Sequence, residues 1–440
     1  MSGAPGLLVA APRSGSGKTT IVLGLQRALA RRGLRVAGVK CGPDYIDPAF
    51  HAAATGRPSL NLDSFAMSPP LLAGLAGEAA RDADLVIAEG SMGLFDGIRT
   101  EPGRTGASAD VAAALGWPVV LVLDVSGHAQ SAAAVALGCA SYDPRIQVAG
   151  VILNKVASER HRGLVEDGLR RVGIPVLGAL ARDTALTLPE RHLGLVQAVE
   201  TTGLQAHLDR LADAVEQAVD LDAVVALGRP TPGAAGEASG ALAPPGRRIA
   251  LASDAAFSFV YPHVLAHWRR MGAEVRPFSP LADEAPPADC DACWLPGGYP
   301  ELHAGRIAGA ARFLEGLQAF AATRPVHGEC GGYMVLGRSL QHADGTVHDM
   351  AGLLPVETSF ARRRMHLGYR VARLLHDGAL GPAGTALVGH EFHYASVTSP
   401  DPERGEALAE VTDGEGKPLG TAGHRLGFVT GSFFHAIALR

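Results

Sequence analysis

The sequence of 440 residues predicts an α/β protein with two domains joined by a linker. In residues 1–228, short Val-, Leu- and Ile-rich runs alternate with segments whose apolar residues recur three and four positions apart; the runs are 7–11, 36–39, 85–88, 119–123 and 148–153. Runs that are apolar on both faces are typical of parallel strands covered by helices, so we expect a doubly wound, mostly parallel sheet.

The second half repeats this texture after a break. Residues 229–246 are rich in Pro, Gly and Ala and lack periodicity, which indicates a linker. A second α/β domain is predicted over 247–440, with strand-like segments at 248–252, 273–276, 293–295 and 325–327. Segment 273–276 alternates apolar and charged residues, which favours an edge strand.

Composition excludes several classes of protein. The hydrophobic share of 47% suffices for sizeable cores, and the net charge of −5 is dispersed, which argues against a nucleic-acid-binding face or a polybasic membrane tether. No apolar run approaches the roughly 18 residues of a membrane span, and the N-terminus lacks the basic start of a signal peptide. Five cysteines without a framework spacing fit a reduced, cytoplasmic protein.

A phosphate-binding loop is predicted at PRSGSGKTT (12–20), between a strand and a helix. Its glycines let backbone N–H groups face phosphate oxygens, its lysine can reach the β and γ phosphates, and a threonine hydroxyl can bind Mg²⁺. The predicted nucleotide-binding residues of this loop are Gly15, Gly17, Lys18, Thr19 and Thr20. Pro12 replaces the usual first glycine, so the P-loop is a variant one, and a ligand-free glycine turn is the alternative.

Acidic residues follow two of the predicted strands. Glu89 ends the run LVIAEG, and Asp44 and Asp47 lie in KCGPDYIDP (40–48). Ligands of open parallel sheets gather beyond the carboxyl ends of the strands, and Mg²⁺ prefers oxygen ligands beside phosphates. The predicted Mg²⁺ ligands are therefore Thr19, Asp47 and Glu89, although helix capping and turn formation would also explain these acids.

Two further segments are predicted to border the nucleotide. The glycines of EGSMGLFDG (89–97) suggest a loop bent closely around a ligand, with Asp96 offered into it. Asn154 and Lys155, after the strand 148–153, could contact a purine edge. No Asp stands two residues after Lys155, so adenine is favoured over guanine, and an ordinary polar strand end is the alternative.

A cysteine nucleophile is predicted in VHGECGGYM (326–334), where Cys330 lies in a glycine-flanked turn between a strand and a helix. Such an elbow exposes the thiol near a helix N-terminus, which favours the thiolate. The candidate oxyanion donors are the amides of Gly297, Gly298 and Gly331. A cysteine nucleophile needs a base, and His435 in GSFFHAIAL (431–439) is the candidate.

These motifs, in this order, resemble the cobyrinate / hydrogenobyrinate a,c-diamide synthases of the corrin pathway to cobalamin. The resemblance covers essentially the whole chain, and its most specific pieces are KCGPDYIDPAFH (40–51), LNLDSF (60–65), EGSMGLFDG (89–97), ASDAAFSFVY (252–261), LPGGYPE (295–301) and the Cys330/His435 pair. It implies a dethiobiotin-synthetase-like P-loop amidoligase domain over 1–228 and a class I glutamine amidotransferase domain of the cobyric type over 247–440.

The resemblance also implies the reaction. ATP and Mg²⁺ would activate the a- and c-acetates of hydrogenobyrinate or cobyrinate as acyl phosphates, and ammonia from glutamine would convert them to amides. The substrate-contacting residues implied are Asp44, Tyr45, Ile46 and Asp96. The expected partners are the tetrapyrrole and glutamine, with neither nucleic acid nor membrane, and a homodimer is left open.

One position departs from the pattern of class I amidotransferases. Many carry Glu two residues after the base histidine, whereas Ile437 stands there, so a Cys–His dyad is expected, with Glu329 or Glu391 as candidates to orient His435. Three alternatives remain: a partitioning-type ATPase switch, which Arg13 favours; a same-family amidase of nickel-sirohydrochlorin; and an inert domain that only binds.

Overall fold

The computed structural model describes residues 3–188, 190–191, 194–195, 197–233, 240–398 and 405–440. The chain divides into two compact units, Met1–Ser239 and Gly240–Arg440. In the described part of the chain, no helix is long and apolar enough to cross a membrane.

The first unit is built on a parallel sheet in the order β3-β2-β4-β1-β5-β6-β7. Its strands are β1 Gly3–Ala10, β2 Val36–Cys41, β3 Leu60–Leu62, β4 Leu85–Glu89, β5 Val119–Asp124, β6 Val148–Val156, β7 Val176–Ala181, β8 Glu190–Arg191, β9 Gly194–Leu195 and β10 Arg229–Thr231. Its helices are α1 Lys18–Arg31, α2 Asp47–Thr55, α3 Pro69–Ala79, α4 Ser108–Leu115, α5 Ser131–Tyr142, α6 Glu159–Arg171, α7 Leu204–Ala218 and α8 Leu221–Leu227. The predicted doubly wound, mostly parallel sheet is confirmed.

The core of this unit explains why the runs are apolar on both faces. Leu7 and Val9 of β1 share a buried cluster with Ile21 of α1 and Val215 of α7. The two helices cross closely at Gly24, where an added Cβ would lie 2.5 Å from Val215 Cγ2. This packing fixes α1, and with it the phosphate-binding loop, against the central strand.

The start of the predicted linker is a strand. Residues Arg229–Thr231 form β10, which pairs antiparallel with the first part of β1, and the Thr231 hydroxyl donates to the Ala4 carbonyl at 2.6 Å. Backbone hydrogen bonds hold this strand, and they require no apolar periodicity in the sequence. The composition of the segment, rich in Pro, Gly and Ala, therefore suggested a linker. Residues 234–239 of the predicted linker lie outside the described residues.

The second unit has a sheet in the order β12-β11-β13-β14-β23-β22-β21-β18-β19-β24, whose first five strands are parallel and whose remaining pairs are antiparallel. A smaller sheet has the order β16-β15-β17-β20. The strands are β11 Arg248–Ala252, β12 Glu274–Phe278, β13 Ala292–Leu295, β14 Val326–Glu329, β15 Ser339–Gln341, β16 Val347–Asp349, β17 Glu357–Ser359, β18 His366–Leu374, β19 Ala386–His393, β20 Ser396–Val397, β21 Glu406–Asp413, β22 Pro418–Leu426, β23 Val429–Ser432 and β24 His435–Leu439. The helices are α9 Pro262–Arg270, α10 Ala304–Ala308, α11 Ala311–Ala321 and α12 Gly331–Leu336.

One prediction concerns the larger sheet of this unit, and another concerns the cysteines of both units. The predicted edge strand is confirmed, because β12 ends the larger sheet. The five cysteines are buried and free, in agreement with the absence of a disulfide framework. The antiparallel strands β18 to β22 were not predicted, since their glycines and charges conceal the alternation expected of strands.

Candidate functional site

The phosphate-binding loop connects β1 to α1 in the first unit. Gly15 and Gly17 have φ values of 76° and 86°, in the left-handed region that favours glycine. No side chain caps α1, so its first amides remain available to an anion, as in other phosphate sites at helix N-termini. Gly17 has a further constraint, because an added Cβ would lie 2.3 Å from Asn154 Nδ2.

The Thr19 hydroxyl lies 2.5 Å from Glu89 Oε1, so the two predicted metal ligands are adjacent. Their hard oxygens fit Mg²⁺, which commonly binds one or two carboxylates together with phosphate oxygens and water. Asp47 fits less well, because its Oδ2 already contacts the Lys40 ammonium at 2.6 Å. Among the described residues, no group of three or more His, Cys, Asp or Glu side chains could hold a metal ion without a nucleotide.

Lys40 lies at the centre of a buried charge network that the sequence analysis missed. Its Nζ lies 2.6 Å from Asp47 Oδ2 and 3.0 Å from Glu89 Oε1, and Glu89 Oε2 is 2.8 Å from His51 Nε2. Strand pairing brings these groups together, since Lys40 of β2 lies opposite Glu89 of β4. The network holds Glu89 in place beside Thr19.

Burial and neighbouring charges shift the pKa values of this network. Burial acts to lower the pKa of Lys40, but the Asp47 and Glu89 carboxylates outweigh it and raise that pKa. Burial acts to raise the pKa of Glu89, but the Lys40 charge and the His51 hydrogen bond hold it well below its usual range. Burial and the Asp44 charge raise the pKa of Asp47 despite its ion pair. Burial, assisted by the Lys40 charge, lowers the pKa of Lys18 to about 8.

The predicted purine-edge residues lie beside the phosphate-binding loop. Asn154 Nδ2 donates to the Ser16 carbonyl at 2.9 Å, and Lys155 Nζ donates to Asp124 Oδ2 at 2.8 Å. Asp124, at the end of β5, also accepts from Arg13 Nη2 at 3.2 Å. Asp124 was missed by the sequence analysis, because nothing local marks it as a partner of two cations on other segments.

A cavity of about 590 Å³ adjoins the loop, a size typical of small-molecule sites. All seven predicted nucleotide-binding residues line it, together with a residue after β5 and residues at and after the end of β7 that the sequence analysis did not identify. The lining residues are Gly15, Gly17, Lys18, Thr19, Thr20, Ser126, Asn154, Lys155, Leu180, Ala181, Arg182, Asp183, Thr184, Leu186, Thr187 and Leu188.

The predicted substrate-contacting residues have local structural partners. Asp44 Oδ1 accepts from the amides of Ile46 and Asp47, at 2.7 Å and 3.0 Å, where α2 begins. Tyr45 and Ile46 are 7% and 5% exposed, so their side chains offer little surface to a large ligand. Asp96 Oδ2 accepts from the Gly93 amide at 2.8 Å and closes a turn of the 89–97 loop.

In the second unit, the predicted nucleophile has the strained geometry of an elbow. Cys330 connects β14 to α12 with φ 47° and ψ −102°, a conformation that is unfavourable for a residue with a Cβ. Its amide donates to the Ser432 carbonyl at 2.8 Å, and the Met334 amide donates to its carbonyl at 3.1 Å. The residues after the turn pack closely against β13. A Cβ at Gly332 would lie 2.0 Å from the Leu295 carbonyl oxygen, so this position needs glycine.

The paired glycines after β13 lie against the nucleophile and the base. A Cβ at Gly297 would lie 2.4 Å from His435 Cε1 and 3.3 Å from Cys330 Cβ. A Cβ at Gly331 would lie 3.0 Å from the Gly298 nitrogen. All five predicted catalytic and oxyanion residues of this unit are therefore brought together at one place.

His435 is fully buried at the start of β24, and its imidazole pairs with the carboxyl group of Glu329. Glu329 Oε2 lies 3.7 Å from His435 Nδ1, while its Oε1 accepts from the Ala436 amide at 2.9 Å. Glu391, the other candidate, instead pairs with Arg370 Nε at 2.8 Å. Of the two candidates, only Glu329 lies where it can act on His435.

Burial sets the protonation of these groups. It raises the pKa of the Cys330 thiol well above its usual value, although the Gly331 amide opposes the shift, and it lowers the pKa of His435 to about 3. It also raises the pKa of Glu329 to about 8. Burial therefore opposes formation of the thiolate, and the expectation that the N-terminus of the six-residue helix α12 favours it stays a prediction.

Comparisons with known proteins match the two units to two different families. Residues 7–196 match the family model described as the CobQ/CobB/MinD/ParA nucleotide binding domain, and residues 248–440 match the CobB/CobQ-like glutamine amidotransferase domain. Three relatives are each named hydrogenobyrinate a,c-diamide synthase. That of Mesorhizobium japonicum is 60% identical over 98% of both chains, that of Agrobacterium fabrum 57% over 98% of both, and that of Rhodobacter capsulatus 60% over 99% of both.

Two solved structures match only part of this chain, at lower sequence identity. Chloroplast FtsY from Physcomitrella patens has a TM-score of 0.32 at 21% identity, covering 48% of this chain and 66% of that one. A glutamine amidotransferase from Thermotoga maritima has a TM-score of 0.28 at 15% identity, covering 43% and 75%. These TM-scores are too low to indicate a shared overall fold.

A nucleotide-binding domain and a glutamine amidotransferase domain in one chain define the class of glutamine-dependent amidating ligases, and this chain is such an enzyme of cobalamin biosynthesis. A partitioning-type ATPase switch would not account for the second match. The chain belongs to the hydrogenobyrinate a,c-diamide synthase family.

Proposed function

We propose that this chain converts the a- and c-acetate carboxylates of hydrogenobyrinate to carboxamides, using ATP, Mg²⁺ and glutamine. The chemistry is supported above all by the apposition of Cys330, Gly297 and His435 in the second unit. The substrate is supported by the names of relatives that are 60% identical over nearly the full chain. Cobyrinate and nickel-sirohydrochlorin remain the alternative macrocycles.

Ammonia release begins at Cys330. Its sulfur attacks the carboxamide carbon of glutamine while His435 takes the thiol proton, and the developing oxyanion is stabilised by the amides of Gly298 and Gly331. The proton then passes to the leaving ammonia, and water hydrolyses the thioester to glutamate. Glu329, at 3.7 Å from His435 Nδ1, orients the imidazole and stabilises its charged form.

The first unit activates the acceptor. A carboxylate is a poor acyl donor, so it attacks the γ-phosphorus of ATP, and ADP leaves as the acyl phosphate forms. Lys18 and the loop amides balance phosphate charge, and Thr19 and Glu89 would hold the Mg²⁺ that neutralises the transferring group. Ammonia then attacks the acyl carbon and phosphate leaves, once for each acetate.

Products identified by mass spectrometry test this proposal. The enzyme is offered hydrogenobyrinate, cobyrinate or nickel-sirohydrochlorin with ATP, Mg²⁺ and glutamine, and we expect two amides to be added to hydrogenobyrinate. If the diamide formed only from another macrocycle, that macrocycle would be the substrate and the proposal of hydrogenobyrinate would be refuted. Diamide formation by a Lys18→Ala variant would contradict the role of the P-loop.

The glutamine half is tested separately by glutamate release. Cys330→Ala should lose glutamine hydrolysis but retain amidation when an ammonium salt replaces glutamine, because only the ammonia source is removed. Cys290→Ala is the matched control, since Cys290 is a buried thiol of the same unit outside the elbow. Hydrolysis by Cys330→Ala at the wild-type rate would refute the nucleophile.

A further inference from the structure

Three apolar side chains with exposed surface lie on the loop after β4 and at the end of α5. Met92 is 59% exposed and Tyr142, at the end of α5, is 75% exposed. The half-buried ring of Phe95 packs against Tyr142, with ring centroids 4.7 Å apart and planes tilted by 51°. Large apolar side chains grouped at a surface commonly mark a binding site, so these three residues, the apolar patch, are a candidate site.

Hydrogen bonds hold the loop that carries Met92 and Phe95 against the phosphate-binding loop and the strand before it. Lys18 Nζ donates to the Met92 carbonyl at 2.5 Å, and the Leu94 amide donates to the Ala11 carbonyl at 2.8 Å. Met92 has φ 51°, an unusual conformation for a residue with a side chain. Its carbonyl contacts Lys18 while its side chain remains exposed, so the loop joins the phosphate site directly to the apolar patch.

Distances along the chain fit a ligand that spans the Lys18 contact and the apolar patch. Phe95 follows Met92 by three residues, which places it within about 10 Å of the Lys18 contact even for an extended chain. The Tyr142 ring centroid is a further 4.7 Å from that of Phe95. Both distances lie within the reach of a tetrapyrrole-derived ring, which carries its carboxylates on short arms at the rim.

The nucleotide does not account for the patch. None of Met92, Phe95 and Tyr142 lines the cavity next to the phosphate-binding loop, which extends instead toward Asn154 and the segment after β7. A base in that cavity and a ring on the patch would therefore occupy different places around Lys18. This is the arrangement that transfer of a phosphoryl group between two ligands requires.

We propose that Met92, Phe95 and Tyr142 form a platform on which the apolar face of the macrocycle lies, with one acetate arm directed toward Lys18. This inference rests on the proposed function and adds residues that recognise the ring rather than its carboxylates. Asp96 then acts as a positioning residue, because its carboxylate holds the Gly93 turn between Met92 and Phe95.

Binding of hydrogenobyrinate, followed by its change in absorbance, tests the platform. Tyr142→Ala and Phe95→Ala should each raise the Kd roughly tenfold through lost ring contact, whereas Tyr142→Phe should bind like wild type. Phe428→Ala is the matched control, because Phe428 is an aromatic residue of the second unit with 54% exposure. Glutamine hydrolysis and the KM for ATP should be unchanged in all four variants.

The outcomes separate the platform from the proposed function. If wild type converts hydrogenobyrinate to the diamide but Tyr142→Ala and Phe95→Ala bind it with the wild-type Kd, the platform is refuted and the function stands. If wild type neither binds nor amidates hydrogenobyrinate, the proposed function is refuted, and the platform with it. Thermal melting of Phe95→Ala, whose ring is half-buried, shows whether a change in Kd comes from binding rather than from unfolding.

Discussion

Replacing Glu329 with Gln removes a charge next to the catalytic base while preserving the shape of the side chain. The amide oxygen of Gln can still accept from the Ala436 amide, as Glu329 Oε1 does at 2.9 Å. What is lost is the carboxylate oxygen 3.7 Å from His435 Nδ1, which stabilises the imidazolium formed when Cys330 gives up its proton. We therefore expect glutamine hydrolysis to slow in Glu329→Gln.

The size of the effect follows from that distance. Two unit charges 3.7 Å apart attract by about 4 kcal/mol at an effective dielectric constant of about 20, an upper limit of roughly 10³-fold in rate. Burial raises the pKa of Glu329 to about 8, so only about a tenth of it is ionised at pH 7. The expected loss of kcat/KM is therefore about 10²-fold at pH 7 and rises toward the limit near pH 9.

The pH profile distinguishes a charge effect from a structural one. Wild-type hydrolysis should increase as pH rises through about 8, because Glu329 then becomes ionised, and Glu329→Gln should lack this increase. Stability should change in the opposite sense. A carboxyl group whose pKa is raised on folding makes the fold less stable as pH rises between its unfolded and folded pKa values, so the substitution should remove that decline.

The assay is release of glutamate from glutamine, measured between pH 6 and pH 9 beside amidation supported by an ammonium salt. Ammonium-supported amidation should be unaffected, since it does not use His435. Wild-type hydrolysis rates in Glu329→Gln at pH 9 would refute a role for the carboxylate. An equal loss of both activities would indicate misfolding instead, and thermal melting would detect it.

Two further substitutions test the first unit. Gly17→Ala should weaken ATP binding about tenfold or more, because its Cβ would lie 2.3 Å from Asn154 Nδ2. Gly33→Ala is the control for backbone strain, since Gly33 has a similar φ of 88° and nothing within 4 Å of the added Cβ. Calorimetry measures the ATP affinity of both variants. Lys40→Met should lower stability by about 3–5 kcal/mol, or the melting temperature by roughly 10 °C, because two buried carboxylates lose their counter-ion. Lys417→Met is the control, because Lys417 is exposed. Equal melting temperatures of the two variants would contradict the role of Lys40.

The parts of the site that could be predicted from sequence lie within short, contiguous motifs. The phosphate-binding loop and the Cys330 turn each follow a strand and precede a helix, so neighbouring residues determine their geometry. Glu89 could be placed because strand ends of a parallel sheet meet at one edge. For the loop and the turn, the physical constraint acts over a few residues, and the sequence displays it directly.

Partners that depend on strand order could not be predicted. Lys40 reaches Glu89 only because β2 pairs with β4, and 107 residues separate Glu329 from the Ala436 amide that binds it. Asp124 meets Lys155 because β5 lies beside β6. A local pattern does not specify which strands become neighbours, so it cannot indicate these contacts.

The short strand β10 has a practical consequence for dividing the chain. It pairs with Gly3, Pro5 and Gly6 of β1, and therefore completes the backbone hydrogen bonding of the first unit from its far end. A truncation at residue 228, where composition places the boundary, would expose the edge of a central strand to pairing with other molecules. An isolated first unit should therefore extend to at least residue 233, and fragments ending before residue 229 should aggregate more readily during expression.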